Sequence, residues 1–207
     1  MDARVVFEAS RAAYDRADVY RDSGTYQRVD VASGRVEAEG TFTTSFDRAS
    51  DELRFAFSLV DSGLPISGAY LSRVGRIVER DGWVPESAAT LAVAAASIAG
   101  VLPPSHFVPR LLVGGALGGR ALWDRGPGHG TGEWCLATTA SSSRPVTNGP
   151  AGIAVGNGDF LIRRIKMPRS WLPDALRHAA LRLSGLAETV SLEHHEQMLL
   201  IDYTLLP

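Results

Sequence analysis

The sequence runs to 207 residues, with 45% apolar side chains, 21% charged ones and a formal net charge of −2. That length holds one domain with a full core or two small ones, and the balance is ordinary for a globular chain. The absence of a basic cluster argues against a nucleic-acid partner, which needs phosphate-neutralising charge. Cys135, the single cysteine, excludes an intramolecular disulfide or a cysteine metal cluster.

Lys166 is the only lysine, and the remaining basic charge is arginine. The chain opens "MDARVVFEASRAAYDRA", which is amphipathic and charged rather than an apolar leader. The most apolar window, "AATLAVAAASIAGVL", is Ala-rich and shorter than the roughly twenty residues a bilayer span requires. It reads as a buried helix, and no transmembrane segment is expected.

In chain order, Val5, Val6, Ala9, Ala12, Ala13, Ala17 and Tyr20 recur at helical spacing, so the first element is a helix ended by "DSG" at 22–24. Strands follow in "TYQRVDV" and "GRVEAEGTFTTSF". In the second, Val36, Ala38, Gly40, Phe42, Thr44 and Phe46 share one parity, while Arg35, Glu37, Glu39, Thr41, Thr43 and Ser45 share the other. One apolar and one solvated face is the pattern of an antiparallel sheet covered on one side. Gly40 within the strand predicts a sharp bend. The run "TFTTSFDRASDELRFAF" folds back on itself, and Leu53, Phe55, Phe57 and Leu59 share a face of the returning strand. "AYLSRVGRIVER" continues the meander as a fourth strand.

The middle of the chain changes character. Ser87 can cap a helix that runs to Gly100, ahead of Pro103 and Pro104. A second short helix can begin with Pro109 in its first turn and stop at "GG" 118–119. "DRGPGHGTG" and "SSSRPVTNGP" read as loops. Strands resume in "EWCLATTA" and "AGIAVGNGDFLIRRIKM", where "NG" between apolar runs signals a hairpin. Ser170 caps a last helix over 171–184, and "ETVSLEHHEQMLLIDYTL" closes the chain as a strand. The order is α+β, read as a single domain over 1–207 with a helical insert at about 86–119.

Few constellations carry chemistry. His129 near Cys135 could form a nucleophilic pair, but most lone cysteines are small buried hydrophobes and no acidic orienter is marked. In "EHHEQ" (193–197) only alternate residues share a strand face, Glu193 with His195 or His194 with Glu196, so a polar stretch is a better reading than a metal site. "GGALGG" and "GPGHGTG" lack the Lys-Ser/Thr ending of a phosphate loop. No cofactor and no metal are expected.

Taken together, the leading helix, "YRDSGTY", the long strand, the turn in "SFDRASDELRFAF", "DGWVP" before a helical insert, and "AGIAVGNGDFLIRRI" resemble the LolA/LolB-like lipoprotein-carrier superfamily over about residues 5 to 167. The resemblance implies an unclosed β-barrel, a curved antiparallel sheet with helices covering its concave side. It implies an apolar concavity that receives acyl chains, and a turn arginine that latches the helical lid. Arg48 stands at that position here, with Ala49 where the family usually has proline. On this reading Val36, Phe42, Phe46, Leu53, Phe55, Phe57 and Leu59, with Leu91 and Ile98 from the insert, line the ligand site.

The expected function is therefore that of a non-enzymatic cell-envelope or periplasmic protein binding a lipid or acylated lipoprotein, with cytoplasm as the other compartment. The alternatives are a scaffold or regulator that binds a protein partner along its open sheet edge, and, third, a hydrolase using Cys135 and His129.

Overall fold

The structure is a computed structural model, and it describes residues 3–61, 63–73, 76–80, 104, 107–114, 123–130, 133–138, 152–169 and 197–207. Helix α1 (Ala3–Asp15) buries Val6, Ser10 and Tyr14, one residue per turn along a single stripe. Five strands follow: β1 (Val19–Asp30), β2 (Val36–Asp47), β3 (Glu52–Asp61), β4 (Leu64–Arg73) and β5 (Arg76–Arg80). After a short helix α2 (Val108–Leu112) come β6 (Trp123–Gly130), β7 (Glu133–Thr138), β8 (Gly152–Gly156), β9 (Ile162–Pro168) and β10 (Gln197–Leu205).

All of these strands join one 10-stranded antiparallel sheet in the order β5-β4-β3-β2-β1-β10-β9-β8-β7-β6. Two meanders are fused where the first strand pairs with the last, Tyr26 opposite Ile201 and Gly24 opposite Tyr203. The sheet is not closed into a barrel, because its ends, β5 and β6, lie at opposite edges. It is nevertheless curved. In a flat sheet β2 and β6 would stand about 29 Å apart, six spacings of ~4.8 Å. Yet α1 lies against β6, α2 lies against β2, and the two helices touch each other. Both helices therefore sit within the concave side.

Sequence alternation explains which face turns inward. Ala38, Phe42, Thr44 and Phe46 of β2 are buried, as are Leu53, Phe55 and Leu59 of β3, with their odd-numbered or even-numbered neighbours more exposed. The hairpin register sets Phe42 opposite Phe57, Thr44 opposite Phe55, and Phe46 opposite Leu53. Gly40 sits opposite Leu59, and a Cβ there would run into the Ser58 carbonyl and the Leu59 side chain. Only glycine lets β2 and β3 approach so closely.

Four expectations need correction. The first helix stops at Asp15, and Tyr20 with "DSG" belongs to β1. Ala13, Ala17 and Tyr20 satisfy a helical spacing, but Tyr20 and Asp22 turn inward with the period of two of a strand. The Gly-rich "DRGPGHG" forms edge strand β6 rather than a loop; Pro127 has no N–H to donate, which an edge position tolerates. The "AYLSRVGRIVER" run divides into β4 and β5. Helix α2 carries Pro109 in its first turn but ends at Leu112, with Gly114 just beyond it in the left-handed region at a φ of 75°; the expected stop at 118–119 lies outside the described residues. The proposed helix to Gly100 with Leu91 and Ile98, the helix over 171–184, and 193–196 of "EHHEQ" lie outside the described residues.

Candidate functional site

The concave face is built in rows across the strands. Tyr20, Phe46 and Leu53 form the row beneath the helices, and Asp22, Thr44 and Phe55 form the next. Tyr203, Gly24, Phe42 and Phe57 follow, then Ile201, Tyr26, Gly40 and Leu59. The aromatic rings touch: Phe42 stacks on Phe55 with centroids 5.7 Å apart and meets Tyr203 edge-on at 5.3 Å. A Cβ on Gly24 would strike the Phe42 ring, so the missing side chain is what lets Phe42 lie over β1. Ile153, Val155, Ile162, Ile165 and Leu199 extend the same apolar surface to the other half of the sheet.

Of the residues expected to line a ligand site, Phe42, Phe46, Leu53, Phe55 and Leu59 are brought together in this surface and buried, and Phe57 is half-buried beside them. Val36 does not join them. It lies at the outer end of β2, beyond a register shift at Arg28/Val29, and is 42% exposed. A bulge re-aims the residues beyond it, so its shared parity with Phe42 does not carry it inward.

Arg48 occupies the four-residue turn between β2 and β3. Asp47 shapes that turn by accepting from the N–H of Ala49 at 2.9 Å. The Arg48 guanidinium donates from Nε to Ala17 O at 3.0 Å and from Nη2 to Tyr14 O at 3.2 Å, and its contact with Leu112 O is 3.5 Å. These carbonyls lie at the C-terminal ends of α1 and α2, where four carbonyls lack helical partners and the helix dipole is negative. The guanidinium also stands 5.1 Å over the Phe46 ring. One side chain thus ties both helices to the aromatic hairpin. Tyr14 holds the opposite side, its hydroxyl accepting from the N–H of Ile162 at 2.9 Å, and Tyr203 donates to Pro104 O at 3.2 Å.

Two polar features break the apolar surface. Beneath the helices, the Asp22 carboxylate is fully buried, accepting from the Tyr20 hydroxyl at 2.9 Å and from the N–H of Thr44 at 3.1 Å. Burial pushes its pKa up to about 6, with the Thr44 and Tyr20 hydrogen bonds offsetting part of the rise. Burial also raises the hydroxyls of Tyr14, Tyr20 and Tyr203, so all three stay protonated.

At the far end of the same face lies a chain of hydrogen bonds. Arg28 holds Asp61 through both nitrogens, at 3.1 and 2.7 Å, reaching across the small Ala38 that separates them in the ladder. Its Nε reaches Glu37 at 3.4 Å, Gln197 donates to Glu37, and Arg169 donates to Gln197. Burial works against the charge on Arg28, but Asp61, Tyr26 and Glu37 together outweigh it and raise the pKa. For Arg169 burial lowers it, and repulsion from Arg28 adds to the lowering. Sequence reading missed both features. Asp22 was hidden in a turn-like "DSG", and the members of the far cluster come from separate strands. The parity of Asp61 with Phe55, Phe57 and Leu59 was the one available signal.

On the opposite, convex face, Thr25, Gln27, Glu39, Thr41, Ser58 and Val60 surround a shallow depression of about 370 Å³ at the Gly40 bend. The ladder sets His129 opposite Trp134 and Cys135 opposite Gly128, so the two are not a cross-strand pair. Among the described residues no group of three or more His, Cys, Asp or Glu is placed to hold a metal ion, and no helix is long and apolar enough to cross a membrane.

No family model and no curated protein sequence matches this chain. Among solved structures, the crystal structure of a LolA superfamily protein from Nitrosomonas europaea aligns over 99% of this chain and 92% of its own, with 9% sequence identity and a TM-score of 0.35.

Proposed function

We propose that this chain is a non-enzymatic binding protein of the cell envelope, acting as one domain, whose concave face takes up the acyl chain of a lipid or acylated protein. The observation that carries the reading is the continuous aromatic and aliphatic surface on the inner side of a sheet that stays open at both edges. An apolar sheet face must be covered. Here α1 and the five-residue α2 contribute to that cover, and both are tied down through one arginine.

Three carbonyl contacts support a latch role for Arg48. Opening the cover would break a few hydrogen bonds to one guanidinium and withdraw Val108, Leu111 and Leu112 from the core. An acyl chain burying roughly twelve methylenes would gain about 10 kcal/mol gross at ~0.8 each, the scale needed to offset such an opening. Phe42, Phe46, Leu53, Phe55, Phe57 and Leu59 would line the site. Phe57, half-buried, is the best-placed point of entry.

Partner binding along the sheet edge is less well supported. Edge strand β5 has five residues with charged Arg76, Glu79 and Arg80, and edge strand β6 contains Pro127 and glycines. Short, charged or proline-bearing edges discourage strand addition.

Titration of the purified, delipidated protein with an environment-sensitive fluorescent alkyl probe tests the proposal. Saturable binding that weakens in Phe57→Ala is the expected result. Absence of saturable binding to a well-folded protein would overturn it.

A further inference from the structure

The far end of the concave face holds two guanidiniums but is not symmetrically neutralised. The two carboxylates of this cluster, Asp61 and Glu37, are both hydrogen-bonded to Arg28 and act on Arg169 only through their charge. Among the described residues Arg169 has one hydrogen-bond partner, the neutral amide of Gln197. A guanidinium carries five donors in a planar fork that matches a carboxylate or phosphate. Arg169 is thus a partly buried cation beside a second cation, with donors to spare. An incoming anion would relieve both the burial and the repulsion that lower its pKa.

Its position relates it to the apolar surface. Arg169 immediately follows β9, two residues after the buried Met167, and its partner Gln197 begins β10 on the same parity as Leu199, Ile201 and Tyr203. From Gln197 to Tyr203 the strand covers about 20 Å at ~3.3 Å per residue. That length accommodates a dodecyl chain laid along the strand. The cluster is also reachable: the side chains of Glu37 and Asp61 remain 24% and 32% exposed, against 12% for Arg28.

We infer that Arg169 receives the anionic head of a single-chain amphiphile whose tail lies along Leu199, Ile201, Leu59 and Phe57. The site therefore selects acyl chains ending in a carboxylate or phosphate over neutral ones. This rests on the acyl-binding reading above and adds to it a polarity: head at the Arg169 end, tail toward the aromatic rows. Arg28 does not receive the head, since its fork is already filled by Asp61 and holds β1 to β3 across β2.

The test compares dodecanoate with dodecanol by calorimetric titration of the full chain, at a pH where the acid is ionised. Wild type should bind dodecanoate at least about tenfold more tightly, the size of one hydrogen bond to a charged group. In Arg169→Gln the ratio of the two affinities should fall toward one, and Arg169→Lys should keep part of the preference. Equal binding of both compounds by wild type, or a ratio that survives Arg169→Gln, would overturn the inference while leaving the acyl-binding reading intact. If Arg169→Gln fails to fold, the wild-type ratio and Arg169→Lys decide. Binding of neither compound would overturn both.

Discussion

Replacing Arg48 by methionine removes the guanidinium while keeping a flexible side chain of similar reach. Three carbonyls, Tyr14 O, Ala17 O and Leu112 O, then lose a donor, though the 3.5 Å contact to Leu112 contributes least. A hydrogen bond to a charged group contributes about 1.5–3 kcal/mol, and the favourable placement of a cation at a helix C-terminus about 0.3–1. The contact with Phe46 adds about 0.5–1 kcal/mol at a partly exposed site. These terms are not additive and Arg48 is half-buried, so the expected loss is about 2–3 kcal/mol. In a chain of this size that corresponds to a fall in Tm of about 5–10 °C. The loss should also be local: amide exchange should accelerate in α1 and α2 more than in β1 and β2. Arg48→Lys should recover part of it, because the charge returns without the fork. Equilibrium denaturation and hydrogen exchange on the same samples provide the check. A loss below about 0.5 kcal/mol, or uniform acceleration across helices and strands, would refute the idea that this arginine holds the cover.

Asp22 gives a pH prediction. Its carboxyl is raised from 3.8 to about 6 in the fold, so the folded state binds the proton more tightly than the unfolded state. Its contribution is therefore fully present below about pH 4 and is lost as pH rises through about 6, an effect on the order of 3 kcal/mol. Asp22→Asn should flatten that stretch of the stability profile; a variant with the wild-type slope would show that Asp22 is not its source. Gly40→Ala should destabilise by about 1–3 kcal/mol, because the new methyl meets Ser58 and Leu59 across the ladder; unchanged denaturation midpoints would contradict the close approach. Phe55→Ala should cost about 3–5 kcal/mol as a fully buried ring, whereas half-buried Phe57→Ala should cost clearly less in urea denaturation yet impair alkyl-probe binding more. The reverse order would mean that the two rings have been assigned the wrong roles.

The hairpin of Phe42, Phe55 and Phe57 was legible because alternation along two adjacent strands, joined by a short turn, fixes both faces and nearly fixes the register. Gly40 was legible as a bend for a related reason, since a residue without Cβ inside an alternating strand signals close approach. The start of β1 was not, because Ala13, Ala17 and Tyr20 satisfy a helical spacing even though Asp15 ends the helix. Strand β6 was misread because Gly126, Pro127 and Gly128 carry turn chemistry, and only the pairing with β7 makes them a strand. Val36 failed because parity stops predicting orientation past a bulge. The cluster of Arg28, Asp61, Glu37, Gln197 and Arg169 assembles from β1, β2, β3, β10 and the end of β9. No local pattern in one sequence joins residues so far apart.

The central claim is that an acyl chain lies on the concave face, and the most direct test is where a bound chain sits. Isotope-filtered NMR of the protein with a 13C-labelled dodecyl ligand would report the protons within contact of its methylenes. Contacts to Phe57, Leu59 and Ile201 are the predicted result. Contacts confined to the convex depression at Thr25, Gln27, Thr41 and Val60, with none to Phe57, Leu59 or Ile201, would contradict the account.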